Sequence, residues 1–384
     1  QKLTNCGECM QIAVIDDGVS CFVYKNITKL AFDLVVTKDG QIVRRKRKYR
    51  SNTHGTVCAS IIKHYAPEAE IGSIQVLSSR TENGSVERLL TALLWCEKNN
   101  IPIIHMSLGS IYFDDMIFLY PVIKRLLSKQ IVLVAAQINT NSFSVPACIN
   151  GVYGVRTDKK LKDDAFVSVK DCGLFDVPLC ASGSHQLIKA NGSMHITLPY
   201  NSYAAPLVTA KIFNFICQRQ STSLKDITNY LGIDESIDIN NRIKNTNFLN
   251  ICSTKPIIQI KNFDESALRV AENIAKEFCR NNYPAAIFMR QESELSELLI
   301  FKIPPGIDAH QYISYVSDQV GLSIALFVGE EKIDADLFVC SGNQKRNKYK
   351  EDTIYLRHTY NEISIRNAVK KILHCEQGEG GTPK

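Results

Sequence analysis

Short apolar runs alternate with longer helical patterns over the first two thirds of the chain. Four of these runs are nearly all apolar and too short for helices, so they predict buried strands at 11–16, 70–77, 101–108 and 130–136. Between the second and third runs, apolar side chains recur at helical spacing, at Val86, Leu89, Leu90, Leu93 and Leu94. Strands that alternate with helices form a parallel sheet covered by helices. We therefore expect an α/β fold whose functional residues lie at the carboxyl ends of its strands.

A second series of strands and helices follows a break in this pattern. Residues 241–255 are polar, rich in asparagine and without a clear period, which predicts a linker between a first domain at 1–240 and a second, smaller α/β domain at 256–384. Short apolar runs in the second domain predict strands at 257–260, 285–289, 298–303, 323–328, 336–340 and 354–357. This domain contains no glycine-rich phosphate loop, so we expect it to serve interaction or substrate recognition.

The composition is that of a folded protein from a reducing compartment. With 384 residues, 45% of them hydrophobic, the chain is long and apolar enough to bury a substantial core. Its 13 cysteines follow no regular spacing, and several lie inside apolar runs, which favours reduced thiols and a cytoplasmic location. The net charge of +6 permits acidic partners but is too small for a dedicated nucleic-acid binder. We expect no nucleic-acid partner and no membrane segment, and no feature of the sequence specifies an oligomeric state.

Three short motifs place polar side chains where a strand ends or a helix begins. The motif AVIDDGV places Asp16 at the end of the first predicted strand. The motif NTHGTVCASII places His54 just before an apolar helix, and NSYAAPLVTA places Ser202 before another. These three residue types can form a nucleophile, a general base and a group that orients the base. Their order along the chain, Asp, His, Ser, is that of the subtilisin arrangement.

The segments between these motifs strengthen the resemblance to subtilisin-like serine proteases. APEAEI, HMSLGS and VAAQIN follow one another in the order found in that family, and together the likeness covers about residues 10–235. It implies a subtilisin-like parallel sheet and a serine endopeptidase with Ser202 as nucleophile and His54 as general base and acid. Asp16, rather than Asp17, would orient the histidine, and the Asn139 side-chain amide would stabilise the oxyanion together with the Ser202 N–H.

The resemblance also implies where a peptide or protein substrate binds. Ser107, Leu108 and Gly109 match the strand edge that pairs with the substrate backbone in the family. This mechanism requires no cofactor, and no clustered acidic loop indicates the calcium that family members often bind. Cys6 and Cys9 have the spacing of half a zinc site, but no second pair follows, so we expect no metal.

The sequence departs from the family at the edge of the predicted pocket. Tyr200 and Asn201 replace the usual Gly-Thr before the serine, and Ile138 replaces the glycine that precedes Asn139. Bulkier residues there predict a narrow pocket and a small side chain at P1, and efficient cleavage after large aromatic residues would contradict this. The alternative is that the loop has shifted around an ordinary pocket. A second alternative is a catalytically inactive peptide-binding protein of a maturation complex.

Two further features bear on the substrate and on the remaining histidines. The run RRKRKYR at 44–50 follows a predicted hairpin and leads almost to His54. Such a run is typical of a solvated edge strand, but its position also suggests recognition of an acidic substrate segment. With few residues before the first strand and many reduced cysteines, we predict an intracellular processing protease for a peptide or protein precursor. His185 and His195 lie in a polar connection, so we expect them at the surface.

Overall fold

The chain divides into two compact units, residues 1–243 and 244–384, which are considered one at a time. The computed structural model describes residues 10–45, 51–77, 85–139, 143–162, 164–169, 177–219, 223–233, 255–261, 266–281, 283–291, 300–303, 305–320, 322–341, 353–356 and 362–377. Residues 1–9, which include Cys6 and Cys9, most of the basic run and all of the predicted linker except Lys255 lie outside the described residues.

A sheet of nine strands forms the centre of the first unit as far as its residues are described. The strands are β1 (Gln11–Asp16), β2 (Asp33–Val36), β3 (Ile42–Arg44), β4 (Glu70–Gln75), β5 (Ile103–Met106), β6 (Val132–Ala136), β7 (Tyr153–Thr157), β8 (Phe166–Ser168) and β9 (Leu179–Ala181). Their order in the sheet is β3-β2-β4-β1-β5-β6-β7-β9-β8, and only β3 and β8 at the two edges pair in the antiparallel sense among these described strands. The predicted parallel sheet is therefore confirmed, and each of the four predicted runs contains one of its strands.

Five described helices cover this sheet: α1 (His54–Tyr65), α2 (Val86–Lys98), α3 (Phe113–Ser128), α4 (Asn201–Arg219) and α5 (Leu224–Tyr230). Helices α1 and α4 pack against each other and share one apolar core with alternate side chains of the strands. The predicted apolar face of α2 is partly wrong. Leu89 and Leu93 are buried, but Leu94 is 43% exposed, because the buried face continues through Ala92 and Cys96 instead.

A separate antiparallel pair, β10 (Gln186–Ile188) and β11 (Met194–Ile196), precedes α4 in the chain. It forms no hydrogen bonds to the large sheet among the described strands. In the described part of the chain, we find no helix that combines the length and the apolar character needed to cross a bilayer.

The second unit is a smaller α/β structure with its own apolar core. Its described strands are β12 (Ile257–Lys261), β13 (Ala285–Met289), β14 (Ile300–Lys302), β15 (Ile324–Val328), β16 (Leu337–Ser341) and β17 (Thr353–Leu356). They form a parallel sheet in the order β14-β13-β15-β12-β16-β17. The described helices are α6 (Ala267–Arg280), α7 (Ala309–Val320) and α8 (Glu362–Gln377). Every apolar run that predicted a strand in this region overlaps one, with ends that differ by at most two residues.

Candidate active site

A cleft of about 650 Å³ lies at the carboxyl ends of the central strands of the first unit. Strands β4, β1, β5 and β6 are neighbours in the sheet, so the residues that follow them meet at one edge. The lining of the cleft includes many of the residues that the sequence predicted for catalysis and substrate binding: Asp16, His54, Ser107, Leu108, Gly109 and Ser202. The tertiary structure thus brings three distant motifs to one place.

Asp16 and His54 form a close pair at the base of this cleft. Asp16 is the last residue of β1 and has no exposed surface, and His54 is the first residue of α1. The Nδ1 atom of His54 lies 3.0 Å from Oδ1 and 2.9 Å from Oδ2 of Asp16. A carboxylate at Nδ1 holds the imidazole with its proton on that nitrogen, which leaves Nε2 as the proton acceptor on the opposite side of the ring.

Asp17 has a different task from its neighbour. Its Oδ2 accepts a hydrogen bond of 3.1 Å from the His54 N–H, and its Oδ1 accepts one of 2.8 Å from the Gly55 N–H. These amides belong to the first turn of α1 and lack acceptors within the helix, so Asp17 caps it. Burial and the adjacent charge of Asp16 raise the pKa of the Asp17 carboxyl. Sequence analysis only set Asp17 aside in favour of Asp16 and missed this role.

Gly55 allows this close approach of α1 to the end of β1. A Cβ atom at Gly55 would lie 2.9 Å from the Cβ of Asp16 and 3.0 Å from the carbonyl oxygen of Gly18. Any larger residue would therefore push His54 and Asp16 apart. Glycine is required directly after His54 because the space between the start of α1 and the segment after β1 does not admit a Cβ atom.

Ser202 lies in the first turn of α4 and lines the same cleft as His54. The ring of Tyr203, the next residue, contacts the His54 ring at a centroid distance of 5.5 Å. Among the described residues, no hydrogen bond joins His54 to Ser202. Such bonds are often long in the absence of substrate and shorten in the complex, so the arrangement remains compatible with a nucleophile and base pair.

Asn139 and Asn201 link the end of β6 to the start of α4. The Oδ1 atom of Asn139 accepts a 3.1 Å hydrogen bond from the Asn201 N–H. The NH₂ group of the Asn139 side chain is therefore directed away from the Asn201 N–H. The Asn201 side chain donates to the Ile138 carbonyl at 2.9 Å and accepts from the Thr157 N–H at 2.8 Å. Asn201, which appeared in the sequence as a departure from the family, thus ties three segments together. Its unusual identity was the signal that could have revealed it.

The backbone N–H of Ser202 is available at this position. Asn201 donates to Asn139, and Tyr203 and Ala204 both donate to the carbonyl oxygen of Tyr200. In the part of the chain that the structure describes, the Ser202 N–H has no acceptor, as expected for an amide at a helix start. This N–H belongs to a residue that lines the cleft and can donate to an anion there, whereas the predicted oxyanion residue Asn139 is not among the described lining residues.

Ile138 lies beside Gly109, which lines the cleft, but is not itself among the described lining residues. A Cβ atom at Gly109 would lie 3.4 Å from Cγ2 of Ile138 and 2.8 Å from Oγ of Ser144. Ser110 exchanges two backbone hydrogen bonds with Val145, at 2.8 and 2.9 Å, which fixes the end of the 107–110 segment. The space around Gly109 is therefore filled on the Ile138 side. The predicted narrow pocket stays a prediction, with this contact in its favour.

The expected surface position of His185 is wrong. Only 2% of His185 is exposed, and its ring lies between the Tyr65 hydroxyl at 3.0 Å and the Tyr203 carbonyl oxygen at 2.8 Å. Burial lowers the pKa of His185 to about 4. His195 is half-buried, with Nδ1 2.5 Å from the Tyr24 hydroxyl. Local polarity misled the prediction, because the partners come from distant parts of the chain.

One group of side chains has atoms close enough to share a metal ion. Asp16, His54 and Cys58 each place one such atom within 4.8 Å of the others, the sole group of this kind among the described residues. A thiol and an imidazole do not suit calcium, which takes oxygen ligands. Cys58 is fully buried, and burial raises the pKa of its thiol well above the ordinary value, so it is a neutral thiol here. These residues do not fit the calcium of the family.

Comparisons with known proteins identify a family for this part of the chain. A model of the subtilase family matches residues 7–212, more than half of the chain. The chain is 29% identical over 186 residues to the minor extracellular protease Epr of Bacillus subtilis, a match that covers 45% of this chain and 27% of Epr. It is 26% identical over 214 residues to a thermostable alkaline protease of Halalkalibacterium halodurans, covering 53% of this chain and 55% of that protease.

Among solved structures, the epidermin leader peptide processing serine protease from Staphylococcus aureus superposes with a TM-score of 0.45. It is 14% identical, and the likeness covers 59% of this chain and 70% of that one. The chain spans about a quarter of the first curated relative's length and about half of the second's. Because the family model extends over most of the first unit, the conclusion is that the chain belongs to the subtilase family of serine peptidases.

Proposed function

We propose that the first unit is a serine endopeptidase that cleaves peptide bonds in the cleft described above. The observation that carries this proposal is the pair formed by buried Asp16 and His54, at 2.9 Å, in a cleft that Ser202 also lines. A serine hydroxyl alone is a poor nucleophile, and an oriented imidazole is what activates it. Membership of the subtilase family supports the same assignment of roles.

The reaction follows from the positions of these groups. His54 Nε2 takes the hydroxyl proton of Ser202 as Oγ attacks the carbonyl carbon of the scissile bond. The tetrahedral intermediate carries its negative charge on the former carbonyl oxygen, which accepts hydrogen bonds from the Ser202 N–H and the Asn139 amide. The C–N bond then breaks as His54 gives its proton to the leaving amine. Water, deprotonated by His54, cleaves the acyl-enzyme in the same way and restores the serine. Asp16 stabilises the imidazolium in both halves.

We further propose a processing protease that acts inside the cell on a peptide or protein precursor. Cys58, Cys96 and Cys180 are buried cysteines outside any disulfide, which supports a reducing compartment. The Ile138 side chain beside Gly109 supports a narrow pocket, and hence a limited range of residues at P1. A narrow pocket suits an enzyme with one substrate better than a digestive one.

An acidic substrate segment, if recognised, would bind along the basic run outside the cleft. Arg45 is not available for this, because its Nε lies 3.1 Å from Asp33 Oδ2 and its guanidinium also donates to the Val19 carbonyl. Arg44 in edge strand β3 is exposed. The described cleft residues include Glu87 and Asp115 but no lysine or arginine, so the cleft itself would not attract acidic residues.

Replacing Arg44, Lys46, Arg47 and Lys48 with glutamine, with Arg45 kept, is expected to weaken cleavage of acidic peptides. The loss in kcat/KM should be on the order of tenfold at low salt and should shrink at high salt, because surface charges are screened. The measurement is kcat/KM for matched acidic and neutral peptides at two salt concentrations. As a control, glutamine at Lys345, Arg346 and Lys348 neutralises a basic stretch of the second unit. Equal losses on both peptides would contradict the proposal.

Intact-mass analysis after treatment with a fluorophosphonate tests the proposed activity most directly. We expect one adduct on the native chain and none on the Ser202→Ala variant, because only an activated serine attacks the reagent. The variant's circular dichroism spectrum and melting temperature serve as the folding control. A folded native chain that forms no adduct would contradict the proposal and favour the inactive peptide-binding protein.

A further inference from the structure

The carbonyl oxygen of Ser202 has lost its usual partner within α4. In an α-helix each carbonyl accepts from the N–H four residues later, but that residue is Pro206, which has no N–H. The oxygen is instead satisfied from outside the helix. The Ser107 hydroxyl donates to it at 2.9 Å, and the Cys58 thiol donates to it at 3.5 Å. The hydroxyl supplies the stronger bond, since a thiol is a weak donor.

A buried histidine lies behind Ser107. The Nε2 atom of His105 is 2.9 Å from the Ser107 hydroxyl, and its Nδ1 is 2.8 Å from the Thr209 hydroxyl. His105 belongs to β5 and has no exposed surface. Thr209 lies on α4, seven residues after Ser202. The imidazole therefore links the sheet to α4 at two points, directly at Thr209 and through Ser107 at Ser202.

The donor in each hydrogen bond of the network Thr209–His105–Ser107–Ser202 follows from the number of protons that its groups carry. Ser107 donates its only hydroxyl proton to Ser202, so it must accept from the Nε2–H of His105. Burial lowers the pKa of His105 to about 3, so the ring is neutral and Nδ1 is an acceptor. With Nδ1 as an acceptor, the single Thr209 hydroxyl proton is shared between Nδ1 and the Ala205 carbonyl oxygen, which lies 3.1 Å from the hydroxyl. Three protons therefore serve four contacts, and the Thr209 proton is the shared one.

We propose that His105 is a positioning residue for Ser202. His105 fixes the Ser107 hydroxyl, which donates to the Ser202 carbonyl oxygen in place of the N–H that Pro206 lacks. This hydrogen bond holds the first turn of α4, including the Ser202 hydroxyl and N–H, at a fixed distance from β5. This inference rests on the proposed function, since it assigns a role in presenting Ser202 as nucleophile. A displacement of about 1 Å at a reacting group can reduce a rate on the order of a hundredfold.

His185 offers a matched comparison for this role. It is also a buried, neutral histidine, and its Nε2 donates to the next carbonyl of the same turn, that of Tyr203, at 2.8 Å. The residue four positions after Tyr203 is Leu207, which has an N–H. The Tyr203 oxygen therefore has a donor within the helix. Loss of His185 should affect stability, whereas loss of His105 should affect reactivity as well.

The test compares fluorophosphonate reaction rates for the native full-length chain and for the variants His105→Leu, His105→Gln, Thr209→Val and His185→Leu, all checked for a cooperative thermal transition. We expect His105→Leu to react on the order of tenfold to a hundredfold more slowly. With a peptide substrate, kcat should fall by the same factor while KM changes by less than about threefold, because an interaction that positions the nucleophile acts on the chemical step. His105→Gln should recover most of the rate, since a glutamine amide can reach the position of Nε2 and donate to Ser107.

His185→Leu should lower the rate by less than about threefold, and Thr209→Val by an intermediate factor. A folded His105→Leu variant that reacts at the native rate would overturn the inference, as would an equal loss in His185→Leu. If His105→Leu does not fold, the Thr209→Val variant takes its place. A folded Thr209→Val variant that reacts more slowly than the native chain would support the inference, and one that reacts at the native rate would overturn it. A native chain that does not react at all would overturn the proposed function, and this inference with it.

Discussion

Alanine at His54 is expected to lower kcat by roughly 10⁶-fold, the size of the loss in subtilisin, a member of the same family. Without the imidazole, the described lining of the cleft contains no other histidine to accept the Ser202 proton during the attack. Alanine at Ser202 should have an effect of the same size. The double variant should be no slower than either single one, because the two side chains act as a unit. The measurement is kcat with a cleavable peptide for all three variants.

His64→Ala is the matched control for this experiment. His64 lies on the same helix as His54 but is exposed and outside the cleft lining. Its replacement should leave kcat within about threefold of the native value, as is usual for exposed sites. If the two alanine losses were additive, or if His64→Ala were as slow as His54→Ala, the assignment of base and nucleophile would be wrong.

Asparagine at Asp16 is expected to lower kcat on the order of 10⁴-fold while the protein stays folded. The amide can donate a hydrogen bond to Nδ1 of His54, which would place the ring proton on Nε2, where it blocks the transfer from Ser202. It also removes the charge that stabilises the imidazolium. The Asp16 carboxylate lies within 3.0 Å of Nδ1 through both oxygens, so no other orientation of the amide restores both functions.

Asparagine at Asp17 is the control that separates the two adjacent aspartates. Asp17 accepts from two amides of α1, and an asparagine has only one oxygen with which to replace them. We expect a loss of about 1 kcal/mol in the free energy of unfolding, typical of a helix cap, and less than about a tenfold loss in kcat. Denaturant unfolding and peptide kinetics measure the two effects. The reverse pattern, with the large loss in kcat at Asp17, would show that the wrong aspartate was assigned.

Local sequence patterns were sufficient for most of the architecture. The strand β1 coincides with a six-residue run whose four central residues are apolar, and β13 with a five-residue apolar run, because strands buried on both faces leave a nearly continuous apolar signature. The edge strands β3 and β8 are three residues long and gave no such signal. The apolar face of α2 was placed partly wrongly, since Leu94 fits the helical period but is 43% exposed, whereas Ala92 and Cys96 are buried.

Residue type and order along the chain were sufficient to predict part of the candidate site. Asp16, His54 and Ser202 each sit in a motif that can be read locally, and chain order linked them. Asn139 was reached only through alignment with the family. Asp17 was missed, because a cap on a helix 37 residues away leaves no local trace.

What the sequence by itself determined is the alternation of buried strands and helices in both units, and the three motifs whose order matches the subtilase family. These properties are local, and burial or chemistry imposes them residue by residue. Only the tertiary structure decided how the helix that carries Ser202 is held. The His105–Thr209 contact spans 104 residues and the Ser107–Ser202 contact spans 95. Such pairs exist only once the sheet has brought distant strand ends together, because a buried polar group takes whichever partner the fold places within reach.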